Sequence, residues 1–196
     1  MKKALLALGI VAATAALPAA AQQAQHFYGG LSVGQAKFSD VCGQLPGFSC
    51  DDKDTAFRIF GGYQFHPNIG VELGYADLGK AKFSGSSGGV AATAEESFTA
   101  WDLVAVGTYS IGTGFNVFGK LGLYYGKADA TANASLGAFS ATGSASDTGT
   151  DLTFGLGAGY DFNKNIGARI EWQRYNGFSD AGGLDVFSLG VLYRFR

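Results

Sequence analysis

Apolar and polar residues alternate with a period of two along most of the chain beyond residue 26. In the first such stretch Phe27, Leu31 and Val33 lie on one face, and the residues between them lie on the other. Eight stretches repeat this pattern: 27–34, 56–65, 69–76, 101–111, 115–125, 152–162, 166–173 and 187–195. Alternation over such lengths predicts β-strands with one apolar face. Its eightfold repetition, with about ten residues each time, is typical of the strands of a transmembrane β-barrel.

The connections between these stretches alternate between short and long. Three of them are tight turns, at 66–68, 112–114 and 163–165, and four are long polar stretches, at 39–54, 79–96, 127–149 and 176–184. Outer-membrane barrels have short periplasmic turns and longer external loops. We therefore expect the long stretches to be external loops, and both termini of the barrel to lie on the periplasmic side.

A hairpin sequence recurs within the chain. The segment Gly62–Leu73 resembles Gly159–Ile170, and a weaker copy runs from Gly107 to Lys120. Three copies of one hairpin favour an up-and-down meander. Closing such a meander into a ring leaves no sheet edge with unpaired backbone groups, which lipid does not tolerate.

The composition agrees with a narrow barrel. The chain contains 31 glycines, 14% aromatic residues and only 3 prolines, and many of the glycines fall inside the strand-like stretches. Glycine weakens an ordinary strand, but on the inner wall of a narrow barrel it makes room for large neighbours. The formal net charge of −2 indicates neither a nucleic-acid surface nor a polybasic membrane patch.

The N-terminus has the features of a secretory signal peptide. Lys2 and Lys3 precede an apolar run over residues 4–17, and Pro18 and three alanines follow. A positive start, a short apolar stretch and a small-residue cleavage site define such a peptide. A transmembrane helix would need about 20 residues. We therefore expect a signal peptide over residues 1–21 and a barrel domain over residues 22–196.

Several short motifs carry a family resemblance. They are Phe27-Tyr28-Gly29-Gly30, Gly61-Gly62-Tyr63-Gln64-Phe65, Gly74-Tyr75-Ala76-Asp77-Leu78-Gly79, Phe118-Gly119-Lys120-Leu121-Gly122 and Gly190-Val191-Leu192-Tyr193-Arg194-Phe195. In order and spacing they resemble the OmpA-type transmembrane domain and related small outer-membrane barrels, over essentially the whole mature chain. The resemblance implies an all-β, eight-stranded antiparallel up-and-down barrel in the bacterial outer membrane. We expect the barrel alone, without the peptidoglycan-binding domain that some members carry.

The resemblance also implies partners. These are the lipids and lipopolysaccharide of the outer membrane and, during biogenesis, periplasmic chaperones and the barrel-assembly machinery; the mature protein is expected to be a monomer. The family's assembly signal is a C-terminal apolar stripe, represented here by Phe187, Leu189, Val191, Tyr193 and Phe195. This chain departs from the family in one respect, because Arg196 follows the aromatic residue on which the signal usually ends.

Five charged residues fall on the face opposite the apolar stripe and should point into the barrel: Arg58, Glu72, Lys120, Arg169 and Glu171. Buried ions are costly unless they are paired. Glu72 with Arg169, and Lys120 with Glu171, are opposite in sign and similar in depth, and Arg58 could compete for Glu72. OmpA-type barrels hold charged pairs of this kind in the lumen. Two interpretations stay open, a structural plug and an ion gate.

The two cysteines, Cys42 and Cys50, lie in the first long polar stretch. Two thiols in an exported protein normally pair, so we predict a disulfide that shapes this stretch. A metal site would need further ligands, and the stretch contains no histidine.

Catalytic, cofactor-binding and metal residues are not predicted. The resemblance extends to small outer-membrane barrels that are enzymes, and those use a histidine near the external side. Here His26 precedes the first strand and His66 lies in a short turn, both at the opposite end, while Asp51-Asp52 and Glu95-Glu96 are expected to be solvated. We therefore expect a non-enzymatic protein that supports the envelope and offers its loops for surface contacts. A narrow or gated pore for small solutes or ions is the alternative.

Overall fold

In a computed structural model of the protein, the described residues are 25–39, 48–87, 90–136, 139–177 and 183–195. Within them the strands are β1 (His26–Phe38), β2 (Phe48–Asp51), β3 (Lys53–His66), β4 (Ile69–Ser87), β5 (Val90–Ser110), β6 (Phe115–Leu136), β7 (Phe139–Asp161), β8 (Ile166–Asn176) and β9 (Gly183–Phe195). Over these ranges we find no helix whose length and apolar character would let it cross a membrane. The expected signal peptide, residues 1–21, lies outside them.

Eight of the strands form a closed ring. Each strand pairs antiparallel with its neighbours in the order β4-β3-β1-β9-β8-β7-β6-β5, and β5 pairs back to β4. The short β2 lies outside the ring and extends the sheet along β4. The eight-stranded antiparallel up-and-down barrel expected from the sequence is confirmed. A ring of eight strands has an interior just wide enough for side chains to fill.

The apolar members of the alternating pattern point outward and form a belt around the barrel. Leu31, Ile59, Leu121 and Phe187 are about 60% exposed, which would be unfavourable in water over so large a continuous area. Aromatic rings border the belt at both ends, as at Tyr193 and Phe195 on one side and Tyr75 and Trp101 on the other. This arrangement matches the apolar band and aromatic girdles of outer-membrane barrels.

The three tight turns lie together at one end of the barrel, here called the turn end. Two of them bind the strand next to them. Asn68 accepts a hydrogen bond from the backbone of Thr108 and donates one back through its side chain, both at 2.8 Å. Asn165 does the same with Arg194, at 2.7 and 2.9 Å. Asn68 and Asn165 occupy the same position in the internal repeat. Both copies of the repeat therefore attach their turn to the next strand by the same pair of hydrogen bonds.

The opposite end, here called the ribbon end, differs from the prediction. The stretches 79–96 and 127–149, expected to be loops, are strands: β4 pairs with β5 as far as Ser87↔Val90, and β6 with β7 as far as Leu136↔Phe139. The stretch 39–54 likewise contains β2 and the start of β3. No apolar alternation marks most of the extensions of β6 and β7, because both of their faces meet water beyond the barrel wall; residues 139–150 are exposed at every position.

A β-bulge marks where the barrel wall passes into the ribbon of β4 and β5. The register shifts between Asp77 and Lys80, and Gly79 adopts a left-handed φ of 79°. The Asp54 carboxylate accepts the backbone N–H of Lys80 at 2.8 Å. The extra residue changes the phase of the alternation, so that Leu78 and Ala81 both face inward, each 1% exposed. Gly79 is needed there because other residues rarely adopt such a φ.

Candidate functional site: the barrel lumen

The five charged residues predicted to face inward all lie in the lumen. Arg58 comes from β3, Glu72 from β4, Lys120 from β6, and Arg169 and Glu171 from β8, and each is at most 8% exposed. A sixth charge, Asp102 of β5, joins them at 1% exposure. The alternation of the strands brings these side chains to one level of the barrel, here called the charge cluster.

Glu72 lies at the centre of the charge cluster. Its carboxylate accepts hydrogen bonds from Lys120 Nζ at 2.7 Å, from an Arg58 guanidinium nitrogen at 2.8 Å and from an Arg169 guanidinium nitrogen at 2.9 Å. The hydroxyl of Tyr28 also points at it, at 3.4 Å. Arg58 and Arg169 therefore do not compete for Glu72, because they bind it at the same time.

Lys120 connects Glu72 to Glu171. Its ammonium group donates to both carboxylate oxygens of Glu171 at 2.9 Å. Arg169 Nε approaches the same carboxylate at 3.3 Å, but without hydrogen-bond geometry, and is left without a hydrogen-bond partner. The structure thus brings together Glu72 with Arg169 and Lys120 with Glu171, as members of one connected network rather than as two separate pairs.

Asp102 was missed by the sequence reasoning. It binds Arg58 through two hydrogen bonds, at 2.6 and 2.9 Å, and accepts a third from the Tyr175 hydroxyl at 3.3 Å. The signal was present in the sequence, because Asp102 lies between two outward residues, Trp101 and Leu103. The alternation by itself therefore predicts that the Asp102 carboxylate points into the lumen.

The charges of the cluster balance. Three cations, Arg58, Lys120 and Arg169, face three carboxylates, Glu72, Asp102 and Glu171. Removing an ion from water costs several kcal/mol, which is recovered only when the geometry is good and the remaining polar atoms are bonded. The cluster meets this condition almost completely, so its side chains are held in one arrangement.

Glycines on the inner wall provide the room for these side chains. A Cβ atom at Gly74 would lie 2.4 Å from the Arg58 guanidinium, and one at Gly157 would lie 2.3 Å from the ring of Phe118. The space over Gly157 is filled by the ring of Phe118. The Phe60 ring also enters the cluster, because its centre lies 3.6 Å from the guanidinium carbon of Arg169.

Toward the ribbon end the lumen is filled by apolar side chains, here called the apolar plug. Its large members are Phe38, Leu78, Phe98, Tyr124, Tyr175 and Leu184, each at most 4% exposed, and alanines fill the space between them. The sequence analysis did not identify this layer. Its signal is the succession of large residues and alanines at inward positions, which becomes readable only when the register and the bulge are known.

Toward the turn end the lumen opens into a polar cavity of about 250 Å³, here called the vestibule. Side chains of His26, Gln64, Asn116 and Arg194 line it, and it ends at Arg169 and Phe118. His26 is the first residue of β1 and His66 the last of β3, so both histidines lie at the turn end. Among the residues that the structure describes, no three His, Cys, Asp or Glu side chains are grouped to hold a metal ion.

The other predicted residues lie elsewhere. Cys42 and the side chain of Cys50 fall outside the described residues, so the disulfide stays a prediction. The members of the C-terminal stripe all point outward from β9 and are 47–63% exposed: Phe187, Leu189, Val191, Tyr193 and Phe195. Their placement in the apolar belt suits lipid contact, and their role in assembly stays a prediction as well.

Comparisons with known proteins agree with this geometry. The family profile described as outer membrane protein beta-barrel domain matches residues 4–195. Outer membrane protein A of Shigella flexneri is 30% identical over 203 residues, which cover 100% of this chain and 56% of that protein. Outer membrane protein A of Klebsiella pneumoniae is 30% identical over 190 residues, which cover 90% of this chain and 53% of that protein. The chain therefore spans a little over half the length of these relatives.

Solved structures share the fold. The attachment invasion locus protein Ail of Yersinia pestis matches with a TM-score of 0.54 at 19% identity, over 87% of this chain and 97% of that one. The N-terminal β-barrel domain of OprF from Pseudomonas aeruginosa matches with a TM-score of 0.56 at 15% identity, over 88% and 100%. OprG of the same organism gives 0.53 at 14%, over 88% and 96%.

Proposed function

Because the chain belongs to the outer membrane protein β-barrel domain family, we propose that it is a structural, non-enzymatic barrel of the bacterial outer membrane whose lumen is closed. One observation carries this proposal. The lumen is filled at two successive levels, by the charge cluster and by the apolar plug, with side chains that are at most 8% exposed. A barrel filled in this way supports the membrane and holds the ribbons at its end without conducting solutes.

The two levels close the lumen by different means. In the charge cluster, every ion is bound to an opposite ion, so an ion that entered would have to displace a formed salt bridge. In the apolar plug, large rings pack against alanines, and a passing ion would have to leave water without any compensating contact. Disturbing one level therefore leaves the other closed.

The orientation follows from how such barrels are built. Short turns face the periplasm and longer elements face outward, so we place the turn end in the periplasm and the ribbon end outside the cell. Both ends of the described chain lie at the turn end, since Phe27 and Phe195 are paired neighbours. In this orientation the ribbons of β4 to β7 rise from the cell surface and provide the area for surface contacts.

The proposed partners match the surfaces of the barrel. The apolar belt contacts outer-membrane lipid and lipopolysaccharide, and the outward stripe of β9 is the segment that periplasmic chaperones and the assembly machinery would bind during insertion. Closure of the ring leaves no unpaired barrel edge within the described residues that would require a second copy. We therefore propose a monomer.

A strain that lacks the protein tests this role. A structural barrel predicts that the deletion sensitises cells to detergent and increases the release of periplasmic enzymes, and that the wild-type protein restores both. Uptake of small hydrophilic solutes should stay the same with and without the protein. Normal detergent resistance in the deletion strain would contradict the proposal.

A gated channel is the second candidate, and the vestibule favours it. The cavity opens at the turn end and leads directly to Arg169, and Lys120 binds two different carboxylates between which it could redistribute. A gate of this kind would also have to open the apolar plug. In the same deletion strain, slower uptake of small solutes with unchanged detergent resistance would support the channel.

A further inference from the structure

Two lysines on the outer surface violate the usual pairing of charges across strands. Lys37 of β1 and Lys53 of β3 are direct cross-strand partners, and both are exposed on the outward face near the ribbon end. Like charges placed directly opposite each other destabilise a sheet. Neither lysine has a carboxylate within salt-bridge distance among the described residues, unlike Lys80, which binds Glu95 at 2.5 Å.

Two of the carboxylates beside the lysines, those of Asp185 and Asp51, accept hydrogen bonds from other groups. Asp185 is the cross-strand partner of Lys37 on β9, but its carboxylate binds Arg174 at 2.7 Å and the indole of Trp172 at 3.0 Å. On the other side, Asp51 accepts the backbone N–H of Lys53 at 3.3 Å. Neither ammonium group forms a salt bridge with a described carboxylate, including that of Asp52 beside Lys53, so both are available to an anion from outside the barrel.

An apolar groove of about 540 Å³ lies on the same strands, closer to the middle of the belt. It runs across β9, β1 and β3 between two outward ridges, with the backbone at Ser32 in its floor, and reaches Tyr75 and Asp77 of β4 at one end. The ridges are the cross-strand rows Ile59, Leu31, Val191 and Phe57, Val33, Leu189. Every side chain of these rows on β9, β1 and β3 is apolar, and the Asp77 carboxylate lies only at the β4 end, so the part of the groove on β9, β1 and β3 suits a hydrocarbon chain.

The lysines and the groove are spaced as the parts of a lipid are. Val33 borders the groove and Lys37 follows it by four residues on β1, which is about 13 Å along a strand. Polar Gln35 lies between them and faces outward, as does its cross-strand partner Thr55. The belt thus changes from apolar to polar to cationic along one face.

We propose that this face of β9, β1 and β3 binds one phosphorylated glycolipid of the outer leaflet. Its phosphate lies between Lys37 and Lys53, and one of its acyl chains lies in the groove. The glycolipid, rather than an inner-leaflet phospholipid, follows from the proposed orientation of the ribbon end, so the inference rests on that part of the proposed function.

The test titrates the folded protein in detergent micelles with diphosphorylated lipid A and counts bound lipid by native mass spectrometry. We expect one tightly retained lipid per barrel. The double variant Lys37→Gln/Lys53→Gln should weaken retention about 10- to 30-fold, because each basic residue near an anionic membrane surface contributes about 1 kcal/mol. The unaltered protein should retain dephosphorylated lipid A about 10- to 30-fold more weakly than diphosphorylated lipid A.

The matched control is Lys127→Gln/Lys164→Gln, which removes the same charge from β6 and from a tight turn. It should retain lipid A like the unaltered protein. Equal retention by the two double variants would overturn the proposal. Displacement of lipid A by inorganic phosphate at equal concentration would also overturn it, since the lysines would then hold a free anion. Equal retention of phosphatidylglycerol would overturn the choice of glycolipid.

Orientation is read separately from lipid binding. A Thr142→Cys variant on intact cells, treated with a membrane-impermeant maleimide, should be labelled if the ribbon end is outside. Absence of labelling would refute the orientation and with it the choice of an outer-leaflet lipid. A barrel that conducts ions would refute the closed lumen, and the lipid titration would still be decided by the lysine variants.

Discussion

Glu72 has more ionic partners than any other residue of the charge cluster, because Arg58, Lys120 and Arg169 all bind it. Glu72→Gln leaves three cations facing two carboxylates among buried side chains. Breaking a buried ion pair from one side costs roughly 3–5 kcal/mol, and we expect at least that loss here. Urea unfolding of the barrel in lipid vesicles measures it as a lower midpoint.

The matched control for this variant is Glu95→Gln. Glu95 also binds a lysine, and the hydrogen bond from Lys80 lowers the pKa of its carboxyl, but the pair is exposed on the ribbon. Exposed pairs contribute little, so the midpoint should barely move. A similar shift of the unfolding midpoint for both variants would mean that Glu72 in the lumen contributes no more to stability than an exposed glutamate on the ribbon.

Lys120 and Glu171 allow a test of direct coupling. Lys120→Met and Glu171→Leu should each destabilise the barrel, because each leaves an uncompensated buried charge. The double variant should recover part of the loss, with a coupling of roughly 0.5–3 kcal/mol. Recovery will be incomplete, since Lys120 also binds Glu72. Strict additivity in urea unfolding would show that the two side chains do not interact.

The sequence predicted five of the six charges that enter the lumen and two of their pairings, but not that all six form one connected network. Inward placement follows from period-two alternation alone, and the same rule would have included Asp102. The sequence does not show that Glu72 binds three cations at once. That arrangement depends on the stagger of the strands around the ring and on the space that each side chain has. The close approach of Arg58 to Gly74 is a consequence of that stagger.

At the scale of the elements, the paired asparagines of the turn end make a prediction. Asn68→Ala removes the hydrogen bond from the side chain to the carbonyl of Thr108. Such a bond contributes about 0.5–1.5 kcal/mol net, so the unfolding midpoint should fall modestly. Asn133→Ala, which removes the hydrogen bond that the Asn133 side chain accepts from the Thr142 hydroxyl on the ribbon, should leave barrel unfolding unchanged. Equal effects would contradict the role given to the turn.

The ribbons are extensions that the barrel does not need. Replacing residues 132–143 with Asn-Gly, a dipeptide suited to two-residue hairpins, should shorten the β6–β7 ribbon without loss of assembly, because that part of β7 is exposed at every position. The folded variant should still migrate differently before and after boiling in a detergent gel. Failure to insert into the membrane would show that the ribbon takes part in folding.

The ribbons also show where sequence reasoning ends for elements. Barrel strands were readable because one face meets lipid and the other the lumen. Residues 127–149 were interpreted as loop because their Ser, Ala, Thr and Gly residues show no such contrast, although backbone pairing alone extends β6 and β7 through them. The bulge at Gly79 was equally hidden, since its effect is to change the phase of the pattern.

For the whole molecule, ring closure was predicted and the filling of the ring was predicted only in part. Eight alternating stretches and an even count were enough for the topology. The apolar plug escaped notice because Phe38, Phe98 and Leu184 come from three distant segments and meet only in the closed barrel. If the lumen is closed at two levels, opening the charge cluster alone does not open a path through the barrel. The second closed level therefore distinguishes a structural barrel from one that is gated at the charge cluster.

Single-channel recording in planar lipid bilayers tests that claim directly. The account predicts no steady unitary currents from the unaltered protein, and none from folded Glu72→Gln, because the apolar plug still closes the lumen. Current should appear only when Glu72→Gln is combined with Phe98→Ala and Leu184→Ala, which thin the plug. Steady unitary currents from the unaltered protein, or from Glu72→Gln alone, would contradict the closed lumen.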